Sequence, residues 1–136
     1  MAKIRGIKPE FWTDEAVVEL SRDARLMFIG MWNYACDNGH LDDKPKQIKM
    51  RIFPADDDTD IEAWLDELVN MGRITRKDGT ITIRRFPDHQ KPHKRWWTTC
   101  DLPGCEHPDK SSDGPNNGGT TVAPPVSTSG PTADGE

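Results

Sequence analysis

The fold of this chain is decided by residues 60–86, DIEAWLDELVNMGRITRKDGTITIRRF. Apolar residues recur at helical spacing in its first half: Ile61, Trp64, Leu65, Leu68 and Met71. This spacing predicts a helix, and Gly72 follows where glycine accepts the left-handed conformation that ends a helix. Asp78-Gly79 then separates two short alternating segments and is typical of a type I′ turn. We therefore predict a helix that runs directly into a β-hairpin, with residues 73–77 paired to residues 80–85.

Further helices and one strand are predicted upstream of this unit. Residues 3–8 predict a short extended arm, because Pro9 disfavours helix before it. Thr13 and Ser21 are predicted to cap two helices, the second over residues 22–37 and apolar around most of its circumference. Gly30 within this second helix predicts the close approach of another element. The pair His40 and Leu41 predicts a small strand beside the hairpin.

A third helix and the cap of the fourth complete the pattern. Asp43 and Pro45 predict the start of the third helix, which ends before Pro54, and Thr59 is predicted to cap the fourth. The order is then helix, helix, strand, helix, helix, hairpin. This order predicts an α+β fold of the winged helix-turn-helix type, with a helical core, a small antiparallel sheet and a basic wing.

Composition divides the 136 residues into three regions. Residues 1–88 form the predicted winged-helix domain, and residues 89–107 form a basic, aromatic segment that also contains Cys and His. After Cys105, aliphatic residues are sparse among Gly, Pro, Ser, Thr and Asn. Because such a composition cannot bury enough apolar surface to offset the entropy of ordering, residues 108–136 are predicted to form a disordered tail.

The charges are segregated along the chain, although the net charge is −5. Residues 54–71 carry seven acids and no Lys or Arg. Residues 72–97 carry eight Lys or Arg against two acids, a local charge of +6. The acidic total therefore conceals a basic segment that is suited to nucleic acid.

Several other classes of protein are disfavoured. No apolar run approaches the roughly 20 residues that span a bilayer, and the N-terminus lacks the apolar region of a signal peptide. Three cysteines at irregular spacing do not indicate a disulfide framework. We therefore expect a cytoplasmic protein. Without a Gly-rich phosphate loop, a nucleophile elbow or a His-Glu zinc helix, we expect no enzymatic activity.

The candidate DNA contacts are the basic residues of the wing, the third helix and the segment after the hairpin, together with two tryptophans. They are Lys44, Lys46, Lys49, Arg73, Arg76, Lys77, Arg84, Arg85, Lys91, Lys94, Arg95, Trp96 and Trp97. Lys and Arg bind phosphates, and exposed tryptophans stack on the bases of single strands. The alternatives are that the wing charges form a solvated hairpin face, and that Trp96 and Trp97 fold back onto the core or anchor a partner.

Cys and His residues cluster in sequence near the end of the basic segment. His89, His93, Cys100, Cys105 and His107 are weak candidates for a zinc site, since thiolates and imidazoles bind zinc tetrahedrally. The Cys100-x4-Cys105 spacing is looser than a zinc knuckle, so no metal or other cofactor is predicted. Cys36 is predicted to pack as apolar surface on the second helix.

Five stretches carry a family resemblance: IKPEFWTDE, LSRDARLMFIGMWNYACDNGHL, PKQIKMRIFPADD, LDELVNMGRITR and RRFPDHQK, over about residues 4–94. With them the chain resembles small winged-helix proteins of actinobacteriophages, similar to the N-terminal domain of phage replisome-organiser (DnaD-like) replication initiators. The resemblance implies a winged helix with a DNA-associated role in phage replication or regulation, in the bacterial host cytoplasm. The second domain of those initiators has no counterpart after Lys94, so helicase loading is not implied.

The fourth helix differs from the recognition helix of a DNA-binding winged-helix protein, because acidic residues occupy its exposed positions: Glu62, Asp66 and Glu67. We therefore expect a DNA-binding protein that acts in replication initiation or transcriptional regulation and contacts duplex or single-stranded DNA with its wing and basic aromatic segment. The alternative is a protein interaction or host-takeover module that binds a basic partner, or itself, through the acidic fourth helix. A DNA mimic is a third, weaker alternative.

Overall fold

The computed structural model describes residues 2–108, which form an α+β fold. Within that range there are five helices, α1 (Glu15–Val18), α2 (Arg22–Tyr34), α3 (Pro45–Ile52), α4 (Ile61–Asn70) and α5 (Phe86–Gln90). Three strands, β1 (His40–Asp42), β2 (Ile74–Lys77) and β3 (Thr80–Ile83), form an antiparallel sheet in the order β1-β3-β2. Single 3-10 turns lie at Pro9–Thr13 and Lys94–Trp96.

The hairpin and the small strand are confirmed. β2 pairs with β3 from Ile74 opposite Ile83 to Lys77 opposite Thr80, and β1 pairs with the other edge of β3. Both turn residues have positive φ, 53° at Asp78 and 79° at Gly79, as a type I′ turn requires. The isoleucines of the two strands face the core, where Ile74, Ile81 and Ile83 are buried.

Helix α2 is the central element of the core, as its sequence predicts. Its buried side chains pack with α3, α4 and the sheet in one cluster: Ala24, Met27, Phe28, Met31 and Trp32. Gly30 lets α3 approach closely, since a Cβ there would lie 2.9 Å from Ile52. The helix ends at Tyr34, three residues before the predicted Asp37, and Leu26 is 54% exposed rather than covered.

Three predicted helix caps are wrong by one residue. Asp14, not Thr13, caps α1, and Asp60, not Thr59, caps α4 by accepting from the amide of Ala63 at 3.2 Å. Asp43 does not cap α3, whose N-cap is Lys44 without a side-chain hydrogen bond. The predicted cap of α2 is confirmed, because Ser21 accepts from the amide of Ala24.

The N-terminal arm is held against the end of α2 by hydrogen bonds. The Lys3 amide donates to Asn33 O at 2.8 Å, and Asn33 Nδ2 donates back to Lys3 O at 2.7 Å. Gly6 exchanges a similar pair of bonds with Gln90 of α5, a helix that the sequence did not predict. The arm therefore links the central helix to the segment that follows the hairpin.

The segment after α5 returns to the end of α2. Asp37 donates its amide to Thr98 O at 3.1 Å and accepts from the Thr98 amide at 2.7 Å, and Cys105 is buried beside Cys36. The chain up to residue 108 is thus packed on the domain. The predicted disordered tail lies outside the described residues from residue 109 onward. Among the residues described, no helix is both long and apolar enough to cross a membrane.

Candidate functional site

Three arginines lie at the base of the hairpin, and the charge of Lys8 in the N-terminal arm acts on the same neighbouring histidine, His89. We call Lys8, Arg73, Arg84 and Arg85 the hairpin-base surface. The Arg84 amide donates to Arg73 O at 2.9 Å, which holds these two residues opposite each other, just before β2 begins and just after β3 ends. Partial burial lowers the pKa of His89, and the positive charges of Lys8, Arg85 and Arg73 lower it further. The charge of Lys8 in the arm and those of Arg73 and Arg85 at the two ends of the hairpin therefore all act on the imidazole of His89.

These cations are accessible to a ligand. Lys8, Arg84 and Arg85 are exposed, and Arg73 is half-buried. Arg85 lies 3.3 Å from Asp88 in an ion pair between two largely exposed side chains, which binds weakly in water. Arg85 also has a positive φ of 56°, which redirects the chain from β3 into α5. Phosphate groups could therefore replace water around most of this surface.

The other predicted contacts in the hairpin and the following segment differ in exposure. Lys77 at the hairpin tip is exposed, as are Lys91, Lys94 and Arg95 after α5. Trp96 is 46% exposed. Trp97 is half-buried, and its enclosed Nε1 has no hydrogen-bond partner among the described residues. Trp96 therefore faces solvent, while the ring centroid of Trp97 lies 6.3 Å from that of His107.

Arg76 is held within the protein by acids. Its guanidinium binds Asp43 at 2.7 Å and Glu62 at 2.9 Å. The hydrogen bonds to Asp43 and then Glu62 raise the pKa of Arg76 above its ordinary value. Asp66 lies 3.8 Å from the same group. This predicted DNA contact thus joins β2 to α4 and to the loop before α3.

The acidic face of α4 has intramolecular partners. Glu62 and Asp66 bind Arg76, and Glu67 accepts from the backbone amide and hydroxyl of Ser21 at 2.7 and 2.8 Å. The carboxylate of Glu67 thereby supports the start of α2. These contacts give the acids a role in the fold, whether or not a partner binds them.

The cations of α3 also differ in their exposure and in their partners. Lys44 and Lys46 are exposed at the start of the helix, whereas Lys49 Nζ donates to Pro54 O at 3.4 Å. Arg51 stacks on the ring of Tyr34, 4.8 Å from its centroid. Lys44 and Lys46 are therefore the exposed cations at the start of α3.

A second site brings together three cysteines and one histidine. Cys36 Sγ lies 3.6 Å from His40 Nδ1 and 3.7 Å from Cys105 Sγ. Cys100 Sγ lies 3.7 Å from the same His40 Nδ1, and all four ligand atoms lie within 4.8 Å of one another. Cys36 and Cys105 are buried, while His40 and Cys100 are half-buried. Four soft or borderline donors thus converge on one point near the surface.

Two tight turns supply these four donors. In the first, the Cys36 amide donates to His40 O at 3.0 Å and the Gly39 amide donates to Cys36 O at 2.8 Å. Gly39 has φ +92°, and a Cβ there would lie 2.7 Å from Phe86 Cβ, so glycine is required. In the second turn, the Cys105 amide donates to Leu102 O at 3.0 Å, and Gly104 has φ +89°.

The environment alters the acidity of all four groups. Burial raises the pKa of Cys36 and raises the pKa of Cys100 to about 12. Burial would also raise the pKa of Cys105, but hydrogen bonds from Asn38 Nδ2 at 3.2 Å and the Cys100 amide at 3.3 Å lower it. Burial lowers the pKa of His40, which favours the neutral imidazole that binds metals.

Of the five metal candidates taken from the sequence, only Cys100 and Cys105 join this cluster. His93 Nδ1 instead accepts from the Arg95 amide, and His107 Nε2 donates to Lys94 O. His89 lies in α5 beside the hairpin-base surface. Cys36 and His40 were missed, although their Cys-x3-His spacing across a predicted turn is a signal that could have been paired with Cys100-x4-Cys105.

No protein-family model, curated protein or solved structure matches this chain. Its function is therefore inferred from the chemistry of its own residues. Guanidinium and ammonium groups on an exposed surface bind phosphate oxygens through charge-assisted hydrogen bonds. Three thiolates and one imidazole form a donor set for a tetrahedral metal ion.

Proposed function

We propose that this chain is a DNA-binding protein of the winged-helix class that binds the phosphate backbone through its hairpin-base surface. The observation that carries this proposal is the set of arginines at the base of the hairpin, where the Arg84 amide donates to Arg73 O at 2.9 Å and the exposed Arg85 follows directly. Concentrated positive charge of this kind neutralises phosphates and releases counterions from DNA.

The order of the elements supports the winged-helix assignment. α2, β1, α3, α4 and the β2–β3 hairpin follow one another, and β1 pairs with β3 at the far edge of the hairpin. In this assignment α3 and α4 are the helix-turn-helix pair, and the hairpin is the wing. The hairpin-base surface then lies where the wing leaves the helical core.

Contact through the wing accounts for the charges better than insertion of α4 into the major groove. The exposed acids of α4, Glu62 and Asp66, would face phosphates in that groove and be repelled. Arg76 is paired with these acids, so we leave it out of the proposed contacts. Lys44 and Lys46 of α3, and Lys77 at the hairpin tip, are exposed and would add phosphate contacts at the edges of the interface.

The segment after α5 supplies the second part of the proposed interface. Lys91, Lys94 and Arg95 are exposed, and Trp96 is 46% exposed next to them. An aromatic ring beside cations stacks on unpaired bases, with about 1–3 kcal/mol for each base. Trp97 is half-buried, with its ring centroid 6.3 Å from that of His107, so it offers less ring surface to a base than Trp96. The proposed protein therefore binds duplex backbone with the wing and unpaired bases with Trp96.

The resemblance to phage replication proteins supports a role in replication initiation or transcriptional control in the host cytoplasm. Binding of unpaired bases by Trp96 would favour replication, in which strands are separated. Binding of duplex alone would favour transcriptional control.

Fluorescence anisotropy tests the proposal with labelled duplex and single-stranded DNA at several salt concentrations. Wild-type protein is compared with Arg84→Gln, Trp96→Ala and Arg22→Gln. Arg22 is an exposed arginine on α2 outside the proposed interface, so its variant removes the same charge as the control. Removal of one phosphate contact should reduce the slope of log K against log salt by about 1.

We expect Arg84→Gln to weaken binding to both DNA forms and to reduce the salt slope, while Arg22→Gln retains the wild-type slope. Trp96→Ala should weaken binding to single strands more than to duplex. Equal effects of Arg84→Gln and Arg22→Gln would refute the hairpin-base surface as the binding site. Absence of binding to either DNA form at low salt would refute the proposed function.

A further inference from the structure

The ligand atoms around a tetrahedral metal ion lie at defined distances from one another, and three of the six distances in the Cys and His cluster match them, while all six are within 4.8 Å. With Zn–S bonds of about 2.3 Å and Zn–N bonds of about 2.0–2.1 Å, a regular tetrahedron separates two sulfurs by about 3.8 Å and a sulfur from a nitrogen by about 3.6 Å. Cys36 Sγ and Cys105 Sγ are 3.7 Å apart. His40 Nδ1 lies 3.6 Å from Cys36 Sγ and 3.7 Å from Cys100 Sγ. The sulfur separation is too long for a disulfide, whose S–S bond is about 2.0 Å.

We propose that Cys36, His40, Cys100 and Cys105 bind one structural zinc ion. Three thiolates and one neutral imidazole form a closed tetrahedral set, which leaves no open position for a substrate. The set carries one net negative charge when Zn²⁺ is bound. Proton donors near the sulfurs would offset that charge, and Cys105 Sγ already accepts from Asn38 Nδ2 at 3.2 Å and the Cys100 amide at 3.3 Å.

The four ligands come from two separate parts of the chain, so the metal would link these parts. Cys36 and His40 flank the turn between α2 and β1, whereas Cys100 and Cys105 belong to the returning segment after α5. Zinc would therefore fasten that segment to the domain. Cys105 is the only buried residue among residues 91–108, so few apolar contacts hold the segment in place. A metal bond between two turns supplies the missing attachment.

The proposal goes beyond DNA binding and holds whether or not the chain binds DNA. Metal content is measured by mass spectrometry on full-length protein that is expressed with zinc and purified under reducing conditions. The variants are Cys105→Ser, which removes a ligand, and His107→Gln as a matched control. His107 is two residues away in sequence, but its Nε2 hydrogen-bonds to Lys94 O. We expect one zinc per chain in wild type and His107→Gln, and loss of stoichiometric zinc in Cys105→Ser.

Cobalt substitution tests the site without any variant that could fail to fold. Wild-type protein stripped of metal and reconstituted with Co²⁺ should show sulfur-to-cobalt charge transfer and the intense visible bands of a tetrahedral ion. In hydrogen exchange, metal removal should increase the exchange of the Thr98 and Cys105 amides more than that of the β3 amides.

Three results would overturn the proposal. They are a reduced, folded wild-type protein that takes up neither Zn²⁺ nor Co²⁺, equal loss of zinc in His107→Gln and Cys105→Ser, and a Cys36–Cys105 disulfide in the metal-free native protein. Because none of these measurements involves DNA, their outcome is independent of the anisotropy experiment.

Discussion

Replacement of Asp37 by Asn should strongly destabilise the domain. The Asp37 side chain is completely buried, and its two oxygens accept from Arg5 Nη1 at 2.6 Å, from Lys3 Nζ at 2.7 Å and from the Thr98 amide at 2.7 Å. Burial alone would raise the pKa of Asp37, but the hydrogen bonds from Lys3, Arg5 and Thr98 hold it below its ordinary value. The carboxylate therefore joins the arm, the end of α2 and the returning segment.

The size of the expected destabilisation follows from the donors that Asp37→Asn would leave without a carboxylate. The asparagine side chain would keep the volume of the aspartate but would present one oxygen and one NH₂ group to three donors. Arg5, whose side chain is 5% exposed, would remain buried without a counterion, although it still donates to Trp32 O and Ala35 O. Removal of one partner of a buried pair costs about 3–5 kcal/mol. Because the Lys3 side chain is 28% exposed and can regain water, we expect the lower end, about 3 kcal/mol.

Urea unfolding followed by circular dichroism measures this change in the free energy of unfolding. The matched control is Asp88→Asn, which also neutralises one carboxylate, but in an exposed ion pair with Arg85 worth about 0–1 kcal/mol. Both variants are compared at equal metal content, because Asp37 adjoins Cys36. A destabilisation by Asp37→Asn no larger than that by Asp88→Asn would refute the assigned role of the buried carboxylate.

Two further substitutions test the packing and the internal ion pairs. Gly39→Ala should lower the free energy of unfolding by about 2–4 kcal/mol, because φ is +92° and the new methyl group would meet Phe86 and Ile83 O. Thermal unfolding measures the change, with Gly6→Ala as the control, since a Cβ at Gly6 has nothing within 4 Å. Arg76→Gln should destabilise by about 1–2 kcal/mol through removal of its bonds to Asp43 and Glu62. Anisotropy should show that Arg76→Gln, unlike Arg84→Gln, retains the DNA affinity of the wild type.

The elements that follow from local chemistry were predictable from the sequence. Alternating isoleucines around Asp78-Gly79 fix the hairpin, since only residues tolerant of positive φ fit the turn. Gly72, with φ +73°, marks the end of α4 in the same way. The caps at Thr13 and Thr59 were misplaced because each is followed by an aspartate that is also a good acceptor. Periodicity does not decide which of two adjacent acceptors begins the helix.

The sites were less predictable because they are formed by tertiary contacts. Cys36 and Cys105 are separated by 69 residues, and their approach requires the chain to return from the hairpin to the end of α2. Likewise, Arg76 belongs to a basic stretch in sequence but lies among acids from α4 and the loop before α3. The local charge of the hairpin was therefore a poor guide to which cations remain accessible. The hairpin-base surface includes Lys8, which no local pattern associates with the wing.

The returning segment depends on polar contacts for its position. Gln90 is hydrogen-bonded to the arm at Gly6, Thr98 is hydrogen-bonded to Asp37, and the cysteine pair lies against Cys36 and His40. Each contact is directional, so together they fix the segment with few buried apolar side chains. Trp96 lies between the Gln90 and Thr98 attachments, so its orientation depends on both, whereas Arg73 and Arg84 are held by the sheet. In the proposed interface, loss of the metal or of the Asp37 carboxylate would thus weaken the contact of Trp96 with single strands. It would leave the contact of the wing with duplex DNA unchanged.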